Sequence, residues 1–125
     1  LVGQVAEVSS HACTVRLLTD QQSGVAALVQ STRATGVVRG SVSGELSLDF
    51  VDRALLPVVG DVVLTSGLGG VYPPGIVVGD VTAVNNKRGD LYPDVTVESR
   101  VPVDRIEEVL ILVGFSTSAN AGDVE

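Results

Sequence analysis

The stretch that decides the fold is residues 60–81, which read GDVVLTSGLGGVYPPGIVVGDV. Its two apolar runs, Val62–Thr65 and residues 76–81, predict two β-strands. The segment between them consists largely of glycine and proline. Pro74 and Gly75 match the central positions of a type II turn, where Gly75 adopts a positive φ that side chains with a Cβ tolerate poorly. The sequence therefore predicts a hairpin whose connection is closely specified by its residues.

The composition outside this stretch indicates a mostly β protein. The chain has 125 residues, enough for one domain, and 45% of them are hydrophobic. That apolar fraction is carried by valine, leucine and alanine, with two Phe, two Tyr and no Trp or Met. Valine-rich runs separated by glycines favour strands, so we expect a core of small branched side chains. Tyr72, one of four aromatic residues, is expected to anchor its loop to the body of the protein.

Further strands follow along the chain, separated by glycine and proline turns. Leu46, Leu48 and Phe50 alternate with polar residues, which predicts a half-buried strand with these three side chains inward. Residues 109–113 are apolar throughout, which predicts a strand covered on both faces. The other predicted strands cover residues 1–8, 13–18, 25–29, 36–39 and 95–101. The expected fold class is all-β, a barrel or sandwich without long helices.

The remaining segments are predicted to be turns or a tail. Residues 52–56 and 104–108 are expected to form single helical turns, and residues 20–24 a polar break. Residues 114–125 have little to bury and are expected to form a disordered tail.

Charge and cysteine content exclude several classes of partner. The net charge of −7 argues against nucleic acid, because phosphate binding needs clustered lysine and arginine. Lys87 is the only lysine, which also makes binding to an anionic membrane surface unfavourable. Cys13 is the only cysteine, so no intrachain disulfide can form, and its apolar neighbours predict a buried thiol. No apolar run is long enough to span a bilayer.

One set of residues raises the question of hydrolysis. His11, Asp49 and Ser66 occur in the order that trypsin-like hydrolases use on paired β-barrels. Their spacings are much shorter than such barrels require, and Ser66 ends a strand with no predicted oxyanion donors beside it. The sequence therefore predicts no enzyme.

Metal and cofactor sites are not predicted either. His11 and Cys13 are too few to form a ligand set, and Glu107 and Glu108 are typical of a solvated face. The glycines of residues 67–70 are followed by neither a Lys-Ser/Thr pair nor a long helix, so they do not form a phosphate loop.

Three segments resemble the family of the rod shape-determining protein MreC. Residues 1–5 (LVGQV) and 15–20 (VRLLTD) are similar to two segments of that family, and the long Gly/Pro stretch is similar to its motif. The motif residues are Thr65, Ser66, Gly67, Gly70, Tyr72, Pro73, Gly75, Ile76 and Gly79. The resemblance covers residues 1 to about 113, and the motif carries no catalytic residue.

The resemblance implies an architecture of two small β-barrels sharing one chain. On that template residues 12–66 form the inner barrel, and residues 1–8 and 76–113 are the remnant of an outer barrel whose first strands lie upstream. It also implies a preceding transmembrane helix and coiled coil, so that membrane attachment would come only through that helix.

The implied role is a scaffold in bacterial cell-wall elongation, at the outer face of the cytoplasmic membrane. The implied partners are MreD, the transglycosylase RodA, the elongation penicillin-binding protein and further copies of the chain, with no residue assigned to these contacts. The alternative is a secreted β-barrel that binds a small ligand or glycan, although four aromatic residues are few for stacking sugars.

Overall fold

The computed structural model describes residues 1–101 and 105–113, and in them the chain forms eight β-strands and one short 3-10 helix. The predicted all-β class without long helices is confirmed. The strands are β1 (Gly3–Val8), β2 (Cys13–Leu17), β3 (Gly24–Val29), β4 (Thr35–Arg39), β5 (Leu46–Asp49), β6 (Val62–Thr65), β7 (Val77–Asn85) and β8 (Asp94–Ser99), and the 3-10 helix is Arg53–Leu55.

Six of these strands close into an antiparallel barrel in the order β3-β4-β5-β8-β7-β6. The longest strand, β7, pairs with β6 on one side and with β8 on the other. β3 closes the ring because it pairs with both β4 and β6, with Ala27 opposite Gly36 and Thr65. β1 and β2 form a separate two-stranded sheet.

The barrel interior is filled by small branched side chains, as the composition predicts. Nine of the fourteen residues in the core cluster are valines, and the others are leucine or alanine. In β3, Val25, Ala27 and Val29 are buried while the residues between them are partly exposed, which is the period-two pattern of a strand with one face inward. A six-stranded barrel is narrow, so small and branched side chains such as these suit its interior.

The β1–β2 sheet is attached to the barrel near its first residues. The Leu1 nitrogen donates a hydrogen bond to the Val77 carbonyl, and the Leu18 amide donates to the Val2 carbonyl. The Leu18 side chain is fully buried in the barrel core. The chain therefore enters the barrel directly from β2.

The expected division into two barrels is corrected by this topology. β2 pairs with β1 and not with the inner barrel, whereas β7 and β8, expected in the outer barrel, belong to the closed barrel. The reason is geometric, because the four short strands β3–β6 are too few to close a sheet on themselves. The β7–β8 hairpin supplies the two strands that join β6 to β5.

Predictions for the C-terminal part are also corrected. Residues 109–113 form no regular secondary structure and are 47–96% exposed, because no strand of the described residues lies beside them. Residues 105–108 are not helical, and Asp104 and the predicted tail at 114–125 lie outside the described residues. No helix in the described ranges has the length and apolar character needed to cross a membrane.

The predicted burial of the Cys13 thiol is wrong. Cys13 is exposed, because β1 and β2 form an isolated pair in which most residues of β2 face solvent. Ser23, in the predicted polar break, is buried, and its hydroxyl donates a 2.6 Å hydrogen bond to the Leu18 carbonyl. The predicted helical turn after β5 is confirmed as the 3-10 helix, which Asp52 caps by accepting from the Ala54 amide.

Candidate functional site

The loop between β6 and β7 is closed by Thr65. Its buried hydroxyl donates to the Pro73 carbonyl (2.7 Å) and accepts from the Ile76 amide (2.9 Å). Its backbone amide donates to the Ile76 carbonyl, and its carbonyl accepts from the Gly75 amide. One threonine therefore satisfies four polar groups of the loop, and this fixes where the chain turns back into β7.

The loop glycines have the backbone conformations that the sequence predicts. Gly75 has φ +85°, and Gly67 and Gly70 also lie in the left-handed region. At Gly75 no atom lies within 4 Å of the position that a Cβ would take, so only the backbone conformation disfavours a side chain there. At Gly79 the constraint is steric, because a Cβ would overlap the Glu98 carbonyl of the neighbouring strand.

The other motif residues hold the loop against the barrel. The Ser66 amide donates to the Ala26 carbonyl, and its hydroxyl accepts from the Leu68 amide at 3.3 Å. Tyr72 is half-buried and packs against the core cluster, as expected. Burial raises the pKa of the Tyr72 phenol above its ordinary value, and the Arg16 guanidinium partly offsets this.

The structure does not bring the three residues of the hydrolase alternative together. β5, which carries Asp49, and β6, which precedes Ser66, are not neighbours in the barrel, because β4 and β3 lie between them on one side and β8 and β7 on the other. Asp49 forms an ion pair with Arg39 (3.4 Å), and His11 is exposed in the turn between β1 and β2. The Ser66 hydroxyl faces its own loop, where it caps Leu68.

The candidate metal ligands are likewise dispersed. Within residues 1–101 and 105–113, no three His, Cys, Asp or Glu side chains come together. Glu107 and Glu108 are both exposed.

The opposite end of the barrel carries an exposed aromatic cluster. Phe50, directly after β5, packs edge-to-face against Tyr92 with ring centroids 5.5 Å apart and an interplanar angle of 90°. Phe50 is 50% exposed, Tyr92 42% and the adjacent Leu91 77%. The Arg39 guanidinium lies 5.6 Å from the Phe50 ring centroid. We call these four residues the Phe50 surface.

The backbone at Phe50 is strained. Its φ is +67°, in the left-handed region that costs a residue with a Cβ roughly 1–2 kcal/mol. This conformation turns the side chain away from the face that Leu46 and Leu48 share, so the predicted inward position of Phe50 is wrong. Strain of this kind persists only where the surroundings enforce it, and it is concentrated at functional positions.

The segments that form the Phe50 surface are electrically balanced. Residues 39, 49–53 and 86–94 contain four basic residues and four acidic residues, while the whole chain carries −7. This end of the barrel is therefore close to neutral and repels an acidic protein less than the net charge of the whole chain would suggest.

Sequence reasoning assigned no residue to a partner contact and missed this surface. Alternation placed Phe50 inside, and Leu91 and Tyr92 follow a turn that carries no motif. The one available signal was the scarcity of aromatic residues, because two of the four are found here.

A small closed barrel with a rigid loop at one end and a strained, exposed aromatic cluster at the other defines an all-β barrel module. Comparisons with known proteins then give its family. Residues 1–113 match the family described as "Rod shape-determining protein MreC, barrel core". The chain belongs to this MreC family of cell shape-determining proteins, which confirms the predicted family and its non-enzymatic class.

Known relatives agree with this assignment. The chain is 36% identical over 88 residues to the cell shape-determining protein MreC of Cereibacter sphaeroides, covering 70% of this chain and 29% of that protein. The crystal structure of MreC from Pseudomonas aeruginosa has a TM-score of 0.72 and 29% identity, covering 78% of this chain and 64% of that one. A complex between penicillin-binding protein PBP2 and MreC from Helicobacter pylori has the same fold, with a TM-score of 0.68, 20% identity, and 82% and 63% coverage.

We predict that Gly75→Ala destabilises the fold by about 1 kcal/mol, because alanine is strained at φ +85°. Gly24→Ala is the matched control, since Gly24 has an ordinary φ and the nearest atom to its Cβ position is 3.7 Å away. We expect the control to be neutral or slightly stabilising in urea unfolding. Equal effects of both changes would contradict the role of the Gly75 backbone.

We predict that Thr65→Val destabilises the protein by about 1–3 kcal/mol, because the isosteric side chain leaves the Ile76 amide and the Pro73 carbonyl without their partner. Thr14→Val, at an exposed position of β2, is the matched control and should change the free energy of unfolding by less than about 0.5 kcal/mol. A Thr65→Val protein as stable as the wild type would show that the hydroxyl does not hold the loop.

Proposed function

We propose that this chain is a non-catalytic scaffold of the bacterial cell-wall elongation machinery that binds the elongation penicillin-binding protein through the Phe50 surface. The observation that carries the proposal is the strained and exposed Phe50. A fold that keeps a large apolar ring in an unfavourable backbone conformation, facing solvent, gains no stability from the exposed face. Binding of a partner would bury the ring, and the free energy of that burial would offset the strain.

The composition of the Phe50 surface is that of an interface centre. Aromatic side chains and arginine dominate the residues whose truncation costs a complex most of its affinity. Here Phe50 already contacts both Tyr92 and Arg39 within the chain itself. Because the rings already hold each other in place, a partner loses little side-chain entropy when it binds them.

The comparisons support a penicillin-binding protein as the partner. The Helicobacter pylori structure with this fold is a complex between PBP2 and MreC. The present chain spans 29% of the Cereibacter relative, so partners of the whole protein are proposals as well. We propose MreD and RodA among them, with the chain located at the outer face of the cytoplasmic membrane through a transmembrane segment of the complete protein.

A glycan-binding module is less consistent with the geometry. Sugars stack on the flat face of an aromatic ring, whereas the two rings here are perpendicular and Arg39 lies over Phe50. No other aromatic pair is present among residues 1–101 and 105–113.

The test is Phe50→Asn. Asparagine tolerates the left-handed region, so relief of strain offsets the lost edge-to-face contact, which is worth about 0.5–1.5 kcal/mol. We expect the melting temperature to stay close to that of the wild type. Binding to the extracytoplasmic region of the elongation penicillin-binding protein from the same organism should weaken by about 30-fold or more, as at an interface centre.

Leu68→Asn is the matched control, because Leu68 is 64% exposed in the β6–β7 loop at the other end of the barrel. It should leave the affinity unchanged in interferometry. Unchanged binding by the Phe50→Asn protein would show that the partner contacts another part of the chain. Equal losses of affinity in both variants would show that the Phe50 surface contributes no more to binding than the β6–β7 loop does.

We further propose that β1, β2 and residues 109–113 belong to a second β-barrel. A two-stranded sheet is marginally stable alone, and within the described residues both outer edges of β1–β2 are unpaired. Residues 109–113 are five consecutive exposed apolar residues, which suit a strand position. Such edges also allow self-association when they pair with another copy of the chain.

We predict that this 125-residue chain self-associates and that Leu110→Lys suppresses this, because a charged side chain on an exposed strand edge opposes pairing. Leu110 is 96% exposed, so the change should not affect folding. Val42→Lys, at an 89% exposed loop position, is the control and should associate like the wild type. Light scattering over a concentration series measures the mass. A wild-type chain that stays monomeric at high concentration would contradict the proposal.

A further inference from the structure

Arg53 joins the two segments that carry the Phe50 surface. It lies three residues after Phe50, in the 3-10 helix, and its guanidinium reaches the hairpin between β7 and β8. Nε donates to the Asn86 Oδ1 atom (3.0 Å), Nη1 to the Asp90 carbonyl (2.7 Å) and Nη2 to the Lys87 carbonyl (3.2 Å). The three acceptor residues lie 33 to 37 positions after Arg53 in sequence, so no local turn produces this contact.

The contact is unusual for an exposed arginine. Arg53 is exposed, and in the described ranges the two ion pairs involve Arg39 and Arg100, not Arg53. Its charge is directed at an amide oxygen and two carbonyl groups of a single hairpin. The planar fork of a guanidinium binds three acceptors in fixed directions, which neither lysine nor glutamine can do.

The hairpin that Arg53 holds is the one that presents Leu91 and Tyr92. Apart from Arg53, the described hydrogen bonds of its tip consist of the Asp90 amide with the Lys87 carbonyl at 3.3 Å. The buried Pro93 fixes the end next to β8. Without Arg53, Leu91 and Tyr92 would therefore lie between a mobile tip and one anchored residue.

We propose that Arg53 is a positioning residue that sets the Phe50 surface for partner binding, an inference that rests on the function proposed above. It acts through the hairpin and does not itself enter the interface. Its effect is on the entropy of binding, because a hairpin ordered beforehand loses less freedom when the partner covers it.

The experiment compares Arg53→Gln with Arg88→Gln in the same chain. Both variants remove one positive charge from this end of the barrel, but among the described residues the Arg88 side chain makes no hydrogen bond. We expect Arg53→Gln to accelerate hydrogen–deuterium exchange in residues 86–92 and to weaken binding to the penicillin-binding protein about tenfold. Arg88→Gln should leave exchange unchanged and affect binding less than about threefold. Arg53→Lys keeps the charge and should behave like Arg53→Gln.

The outcomes separate the two proposals. A wild-type chain that fails to bind the penicillin-binding protein contradicts the proposed function and this inference with it. If the wild type binds and Arg53→Gln binds equally well despite faster exchange, the positioning role alone is wrong. Equal losses from Arg53→Gln and Arg88→Gln, or full rescue by Arg53→Lys, would show that charge and not positioning is what Arg53 contributes.

Discussion

The hydrogen bonds of Thr65 are the constraint on which the rest of the barrel depends. They fix where β6 ends and β7 begins, and so the register of the longest strand in the sheet. β6 is also the strand through which the barrel closes onto β3. A slip of one residue in β7 would turn Val78 and Val81 out of the core. The loop thus determines which valines fill the interior.

The local parts of this fold could be predicted from sequence, because each is specified within a few residues. The β6–β7 hairpin follows from its glycines and prolines, and β5 follows from the alternation of Leu46 and Leu48. Barrel closure could not be predicted in this way. The pairing of Leu46 with Val97 joins residues about fifty positions apart. The sequence of neither strand indicates which other strand it pairs with.

The candidate site was less predictable than the fold, for a physical reason. Period-two alternation assumes that a strand continues, and it placed Phe50 inside because β5 was expected to include it. A single left-handed residue ends that pattern and turns the ring outward. The Arg53 contacts depend on two loops meeting in space, and only family resemblance could suggest that this chain has a protein partner at all.

The two ends of the barrel differ in how well their residues suit their backbone conformations. At one end, Thr65 and the loop glycines satisfy every local preference, since each glycine lies where a side chain would be strained. At the other end, Phe50 has a left-handed backbone conformation that a residue with a Cβ disfavours, and its ring remains half exposed in contact with Tyr92 and Arg39. A small barrel with a valine core has little stability to spare, so such strain is tolerated only where the remaining contacts are well satisfied. The strain at Phe50 is in this sense supported by the well-satisfied loop at the other end, and it is the feature on which the proposed partner contact rests.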